Sequence, residues 1–327
     1  MKHTASYIIL AIVAVLLNSC EKRELCELDH PHQINVDLTV NFQAAWDDEE
    51  LPYLNNPADY DVRYTYEFWT TNADGNPDTR TARHQKIGGQ LKEGANSFRT
   101  TLSIPQTDVK CLVWVDLVPR GDNKNEHFDV TNLTTVTLLT YGFDPQKDAF
   151  SGSCDLTMVE GHTHEAVDLK ATINAQRVLG AYKIIANDYD KYTAEKEEGM
   201  GEPTTVAVDY QLWLPVQYNC FFQRPQMATT GCRYVTQAKK PIENTCELAT
   251  DVVFIGAEDN EFKYYNLVTT TFDENDVLIS RSDNIEVKMQ RNRIARIYGP
   301  YLTTSNLGGS VINDEFDDYI DIVIPDM

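Results

Sequence analysis

The chain has 327 residues, 42% hydrophobic, 10% aromatic and 24% charged, with 50 acidic side chains against 28 basic ones. That composition is globular, too apolar for a disordered chain and too poor in Gly and Pro for a fibre. The formal net charge of −22 argues against nucleic-acid binding, because no surplus of Lys and Arg is there to neutralise phosphates, and it opposes adsorption to anionic lipid.

Lys2 and His3 precede an uncharged apolar run from Tyr7 to Leu17. The run is too short to cross about 30 Å of hydrocarbon as a helix, and it fits the h-region of a secretory signal. It ends in Leu17-Asn18-Ser19-Cys20, which resembles the lipobox of bacterial lipoproteins. A small residue before the cut lets the signal peptidase close on the backbone, and the Cys20 thiol carries the diacylglyceryl group. Residues 1–19 then form the signal peptide, and residues 20–26 the lipidated Cys with a mixed-charge tether. Acyl chains of the palmitate type are the only anchor, since no other stretch approaches about 18 apolar residues.

Six further cysteines remain: Cys26, Cys111, Cys154, Cys220, Cys232 and Cys246. An even set in an exported chain allows disulfides, whose connectivity the sequence leaves open. Cys220, Cys232 and Cys246 share one turn-rich stretch, where a bridge from Cys220 to either neighbour would pin a long excursion. Cys111 opens the apolar run Cys111–Val115 and reads as a buried thiol. No pair has the CxxC spacing of zinc ribbons or thioredoxin-like redox sites.

Along the mature chain the hydrophobic period is two. Ile34, Val36, Leu38, Val40 and Phe42 alternate with polar residues, as in a strand with one buried face. Val62, Tyr64, Tyr66 and Phe68 repeat the pattern and run into the turn formers Asn72–Pro77. Leu112–Val118 is a near-continuous apolar strand. Further strands are expected at 136–139, 169–173, 182–186, 206–214, 252–255, 262–271, 285–289 and 319–324. The helix candidates, Asn174–Leu179 and Glu243–Thr250, are short, while Asp188–Asp190 reads as a turn and Tyr192–Thr205 as an exposed acidic loop.

Many short strands with frequent turns imply an all-β chain of two tandem antiparallel β-sandwich domains. At roughly 150 residues per domain the length also suggests two. The polar stretch Val159–Glu165 is the linker, which places the domains at 27–160 and 166–327.

Reaction centres are hard to find. His162 and His164, like His30 and His32, share a face at i and i+2, but a zinc site needs three or four ligands, so no metal is assigned. Asn72, Asp74, Asn76 and Asp78 alternate oxygen donors as a calcium loop does, yet Arg83 stands where the bidentate Glu is required, and a hairpin turn is preferred. No phosphate cradle, nucleophile elbow or HExxH is present, and no cofactor or enzymatic activity is expected. Of the four tryptophans, Trp114 and Trp213 lie in apolar strands and read as core. Trp46, next to Asp47–Glu50, is the candidate exposed binding aromatic.

The stretch Gln290–Thr304, with Arg291-Asn292-Arg293, an aliphatic strand, Gly299 and Leu302-Thr303-Thr304, resembles the late-strand motif of the fimbrillin-like lipoproteins of Bacteroidales. The acidic cluster Asn313–Asp317, the opening Cys20–Cys26 and the mid-chain Asp148–Gly152 also resemble that family. The resemblance implies transthyretin-like β-sandwich domains on a surface-exposed outer-membrane lipid anchor, acting in fimbrial assembly or attachment as a subunit or an anchor. It implies fimbrial subunits as partners. The alternative is a surface glycan-binding lipoprotein, with host or surface glycans as ligands. A sandwich can do such work through its edge strands, whose unpaired backbone groups accept an added strand. The alternating Ile320, Ile322 and Ile324 suit a donated or edge strand, although pairing within their own sheet is the simpler expectation.

Overall fold

Alternation builds the first strand. In β1 (Gln33–Gln43) the side chains of Ile34, Val36, Leu38, Val40 and Phe42 are buried while their neighbours are half-buried or exposed. Each such burial contributes roughly 1.5–3 kcal/mol. The computed structural model describes residues 33–46, 57–92, 94–158, 169–256, 262–282, 284–303, 311–312 and 320–323. The signal segment, Cys20, Cys26, both His pairs, the linker Val159–Glu165 and the acidic cluster at 313–317 lie outside the described residues.

Strands β2 (Tyr60–Thr71) and β3 (Pro77–Ile87) form a hairpin. In its turn the Asn72 carboxamide oxygen accepts the N–H groups of Asp74 and Asn76, both at 3.0 Å, and Gly75 takes φ +76°. The alternating oxygens at 72–78 thus serve a turn, as preferred. There follow β4 (Ala95–Pro105), β5 (Val109–Pro119), β6 (Phe128–Asp129), β7 (Val136–Leu138) and β8 (Ala149–Leu156). Next come β9 (Leu169–Asn174), β10 (Gln176–Arg177) and β11 (Leu179–Ala186), then α1 (Tyr189–Glu195) and β12 (Pro203–Tyr210). Short strands follow: β13 (Leu214–Pro215), β14 (Gln217–Asn219), β15 (Arg224–Pro225), β16 (Ala228–Thr229) and β17 (Arg233–Gln237). The chain closes with β18 (Cys246–Phe254), β19 (Lys263–Asp273), β20 (Leu278–Arg281), β21 (Ile285–Met289), β22 (Ile294–Gly299), β23 (Val311–Ile312) and β24 (Ile320–Val323).

The architecture is all-β. A sheet ordered β4-β1-β9 faces one ordered β10-β8-β5-β2-β3 around a core that includes Leu38, Tyr66, Val113 and Phe150. A second pair, β18-β11-β22-β24-β23 and β17-β12-β19-β20, encloses Tyr182, Ile184, Val208, Leu248 and Ile297. Most pairings are antiparallel, but β1–β9, β11–β22 and β22–β24 run parallel. Strand β24 therefore pairs inside its own sheet, between β22 and β23.

The apolar run in β5 has a structural cause: both of its faces are covered. Cys111, Val113, Val115 and Leu117 point into the first core. Leu112 and Trp114 point the other way, into a third core with Phe128, Leu179, Tyr218 and Phe254. The sheet β15-β14-β7-β6 lies over that side, and residues Ile34–Met327 form one compact unit. Arg63 and Glu67, on the same covered face, find partners. Arg63 donates to both carboxylate oxygens of Asp116, at 2.8 and 2.5 Å. Glu67 accepts Arg80 at 2.6 Å, the Trp69 indole at 2.9 Å and the Leu133 N–H at 3.0 Å.

Three expectations differ from the structure. The segment 169–177, assigned by sequence to the second domain, supplies β9 and β10 to the first pair of sheets, where Ile173 and Ala175 join the first core. The helix candidates Asn174–Leu179 and Glu243–Thr250 are not helices; they hold β10 and the starts of β11 and β18, because tertiary pairing outweighs weak local propensity. The helix α1 instead occupies Tyr189–Glu195, anchored by buried Tyr192, whose hydroxyl donates to Gly201 O at 2.6 Å.

Candidate functional site

The motif Gln290–Thr303 has a structural role that the chain geometry explains. Asn292 sits at φ +60° and its carboxamide oxygen accepts Arg177, which also donates to Asp148 at 2.8 Å and to Ala44 O at 2.5 Å. Ile294 and Ile297 enter two different cores. Gly299 admits the Tyr301 ring, because a Cβ there would stand 2.7 Å from it. The Leu302 and Thr303 N–H groups donate to the Asp188 carboxylate at 3.1 and 2.7 Å, and the Thr303 hydroxyl does so at 2.8 Å. Burial raises the pKa of Asp188, and these donors offset only part of the rise. Asp188 thus stands before α1 as the acceptor for a distant strand end, a use of the residue that reading Asp188–Asp190 as a local turn misses.

The tryptophans exchange the places that the sequence suggests. Trp114 is fully buried, as expected. Trp46 is half-buried, with the Arg177 guanidinium 4.1 Å from its ring centroid, so the candidate binding aromatic is a packed one. The exposed indole is Trp213, at 66% exposure, beside Leu212 at 55%. Strand β12 ends at Tyr210, and Leu212 has the inward parity of Val208 and Tyr210 yet is exposed, so the alternation of the strand does not carry across to Trp213. Leu214, one residue on, is fully buried where β13 begins.

More apolar surface surrounds this position. Strand β13 pairs with β16, the Val216 N–H donates to Met227 O at 2.9 Å, and the Leu138 N–H donates to Val216 O at 2.8 Å. These bonds set Met227 and Leu139, both exposed, on chain segments adjoining the one that carries Leu212 and Trp213. Exposed apolar groups concentrated in one region mark interaction surfaces more often than scattered ones do. A stability measurement separates surface from core here. Trp213→Ala is expected to change the unfolding free energy by no more than about 0.5 kcal/mol, as read by urea denaturation.

The sheet margins differ in chemistry. Strand β3 carries Arg80, Arg83 and Lys86 along its edge, a pattern that blocks further pairing. Strand β17 has β12 on one side and no second strand neighbour among the described residues, and it presents Val235 outward at 59% exposure.

The turn-rich cysteines part company. Cys220 lies in the third core, and its carbonyl accepts the Gln223 carboxamide N–H at 2.5 Å. Cys232 meets the Tyr141 phenol, and the Cys246 thiol donates to Lys239 O at 3.4 Å. A bridge from Cys220 to either neighbour is therefore not formed in this structure, since the intervening strands carry the thiols into separate packing environments. Cys111 and Cys154 stand directly opposite each other on β5 and β8. Among the described residues no group of three or more His, Cys, Asp or Glu is placed to hold a metal ion, and no helix is long and apolar enough to cross a membrane.

No curated protein matches the chain. Among solved structures, a candidate adhesin from Bacteroides ovatus is 12% identical and aligns over 94% of this chain and 98% of its own, at a TM-score of 0.42. A fimbrial anchor protein of Porphyromonas gingivalis is 10% identical over 76% of this chain and 82% of its own, at 0.37. A fimbrial assembly protein of Parabacteroides distasonis is 10% identical over 84% and 93%, at 0.36. The chain belongs to the family of unknown function DUF6562, whose model matches residues 29–325.

Proposed function

We propose that this chain is a non-enzymatic, lipid-anchored outer-membrane protein that works in surface adhesion, as a fimbrial subunit or anchor that pairs strands at its sheet margins. The observation that carries the reading is β17, flanked by one strand and bearing an outward Val235. An incoming strand there would gain backbone hydrogen bonds, and side chains at alternate positions would give it selectivity. The Leu17–Cys20 lipobox and the motif at Gln290–Thr304 support the address and the family of tasks. A division into two sandwiches, with the segment 169–177 counted to the first, belongs to the same proposal, and the second sandwich, which contains β17, is the part that engages a partner.

Two substitutions test it. Cys20→Ala should abolish metabolic labelling with palmitate and release the protein from the outer membrane. Val235→Lys puts a charge on the edge and should lower several-fold the fimbrial protein recovered by crosslinking from intact cells, with melting unchanged. Equal recovery from the Val235→Lys and parent strains would count against strand pairing at β17.

A second reading, glycan binding, is favoured by one observation, the exposed Trp213. An indole face stacks on the apolar side of a sugar ring. Saturable binding on a glycan array that Trp213→Ala removes would establish it, and Trp46→Ala is the matched control.

A further inference from the structure

We propose that Cys111 and Cys154 form a cross-strand disulfide in the exported protein, a staple across the first sandwich that is made after folding brings β5 and β8 together. In the antiparallel register Cys111 faces Cys154 directly, flanked by the pairs Lys110–Asp155 and Leu112–Ser153. Directly opposed residues of an antiparallel pair have Cα atoms about 4.5–5.5 Å apart, inside the range that a disulfide spans. Both side chains turn to the first core: Cys111 is fully buried in it and Cys154 packs against it. The two thiols are close enough for each to shift the other's ionisation, and the Cys111 Sγ lies 4.0 Å from Leu112 O.

The order of reaction follows from access. Cys154 is half-buried and its strand pairs with β10 only through Phe150 and Ser151, so its sulfur is the one a reagent meets first. The neighbouring Cys111 thiol lowers the Cys154 pKa, which favours the thiolate at the sulfur that must attack. The oxidant is a protein disulfide of the thiol–disulfide oxidoreductase class, or oxidised glutathione in vitro. The Cys154 thiolate attacks one of its sulfurs, forming a mixed disulfide and releasing the first oxidant thiolate. Cys111 then loses its proton and attacks Cys154 Sγ, displacing the second oxidant thiolate. Two protein thiols are oxidised by two electrons, one oxidant disulfide is reduced to two thiols, and both protons leave with them.

The inference rests on export, and the test separates the two. Protein from the cell envelope is trapped with an acid-quenched alkylating agent, digested with trypsin and weighed. The expected product joins the peptides Cys111–Arg120 and Asp148–Lys170, two hydrogens lighter than their sum. In parallel, purified protein is reduced and returned to oxidised glutathione, which should close the same bond whatever the protein's address. Cys154→Ser should lower the melting temperature of the oxidised protein by on the order of 5–10 °C, and dithiothreitol should lower the parent to the same value without moving the variant. Glutathione retained on Cys154 with Cys111 alkylated as a free thiol would overturn the pairing, as would Cys154 found joined to Cys26. Closure in vitro with free thiols in the envelope sample would reject the reading of export into an oxidising compartment and leave the geometry intact.

Discussion

Asp251→Ala is expected to destabilise the fold by about 3–5 kcal/mol, the range for removing one partner of a buried ion pair. Lys147, ahead of β8, places its ammonium 3.1 Å from Asp251 Oδ1 on β18, and each residue is only 1% exposed. The carboxylate also accepts the Val252 N–H at 2.7 Å and the Tyr210 hydroxyl at 2.8 Å. Behind Tyr210 runs a phenol chain, with the Tyr182 hydroxyl 3.0 Å from that of Tyr210 and 2.9 Å from that of Tyr234, which donates to Thr250 O. Burial pushes the pKa of all three phenols well above its ordinary value, so they stay protonated and the chain keeps its donors. Alanine at 251 leaves the Lys147 ammonium with Gly142 O as its remaining acceptor, at 3.1 Å, and strips the phenol chain of its terminus.

A double-mutant cycle isolates the pair. Lys147→Met alone leaves a buried carboxylate and should cost a similar amount. Lys147→Met with Asp251→Ala should cost clearly less than the two singles added together, because neither charge is then stranded. Urea denaturation of the four proteins reads the coupling directly, and strict additivity would show that the two groups do not share one site. The pair also links the two pairs of sheets, since Lys147 leads into β8 and Asp251 lies on β18.

How much of this was legible depended on whether the determining contact was local. The parity of Ile34 to Phe42 fixes which face of β1 is inward, and the structure agrees residue by residue. The turn at Asn72–Pro77 follows from side chains that bond their own backbone. Trp213 reads as core from the apolarity of its neighbours, because the sequence does not show that β12 stops at Tyr210 and turns Leu212 and Trp213 to solvent. The parallel pairing of β9 with β1, across more than a hundred residues, leaves no periodic mark in either strand. Nor does the sequence show that Trp46 packs against Arg177, because that contact depends on the covering sheet and on Asn292 holding the guanidinium. Of the candidate site, only chemistry written in short motifs could be read early. The margin at β17 and the Cys111–Cys154 register are properties of pairing, and pairing is set by distant strands.

Trp114→Ala should cost about 3–5 kcal/mol, the usual range for deleting a fully buried large aromatic. The indole stands edge-on to Phe128 at 5.3 Å between centroids and to Phe254 at 6.4 Å, with Tyr218 at 6.1 Å. Those partners come from segments on both sides of the β8–β11 region, so the cavity opens at the centre of the third core and no single loop can collapse to fill it. Trp114→Phe retains most of the contact and should lose about 1–2 kcal/mol. The same side-chain deletion at Trp213 is expected to be nearly silent. The two indoles should also differ in emission, blue-shifted for Trp114 in its apolar shell and red-shifted for exposed Trp213, so the spectrum of each variant is expected to report which one was removed. Urea denaturation of the alanine variants should therefore give a large loss for the blue-shifted residue alone. A loss below about 1 kcal/mol at Trp114 would mean that the covering sheet β15-β14-β7-β6 does not seal that face, and that the outer side of β5 is open to solvent.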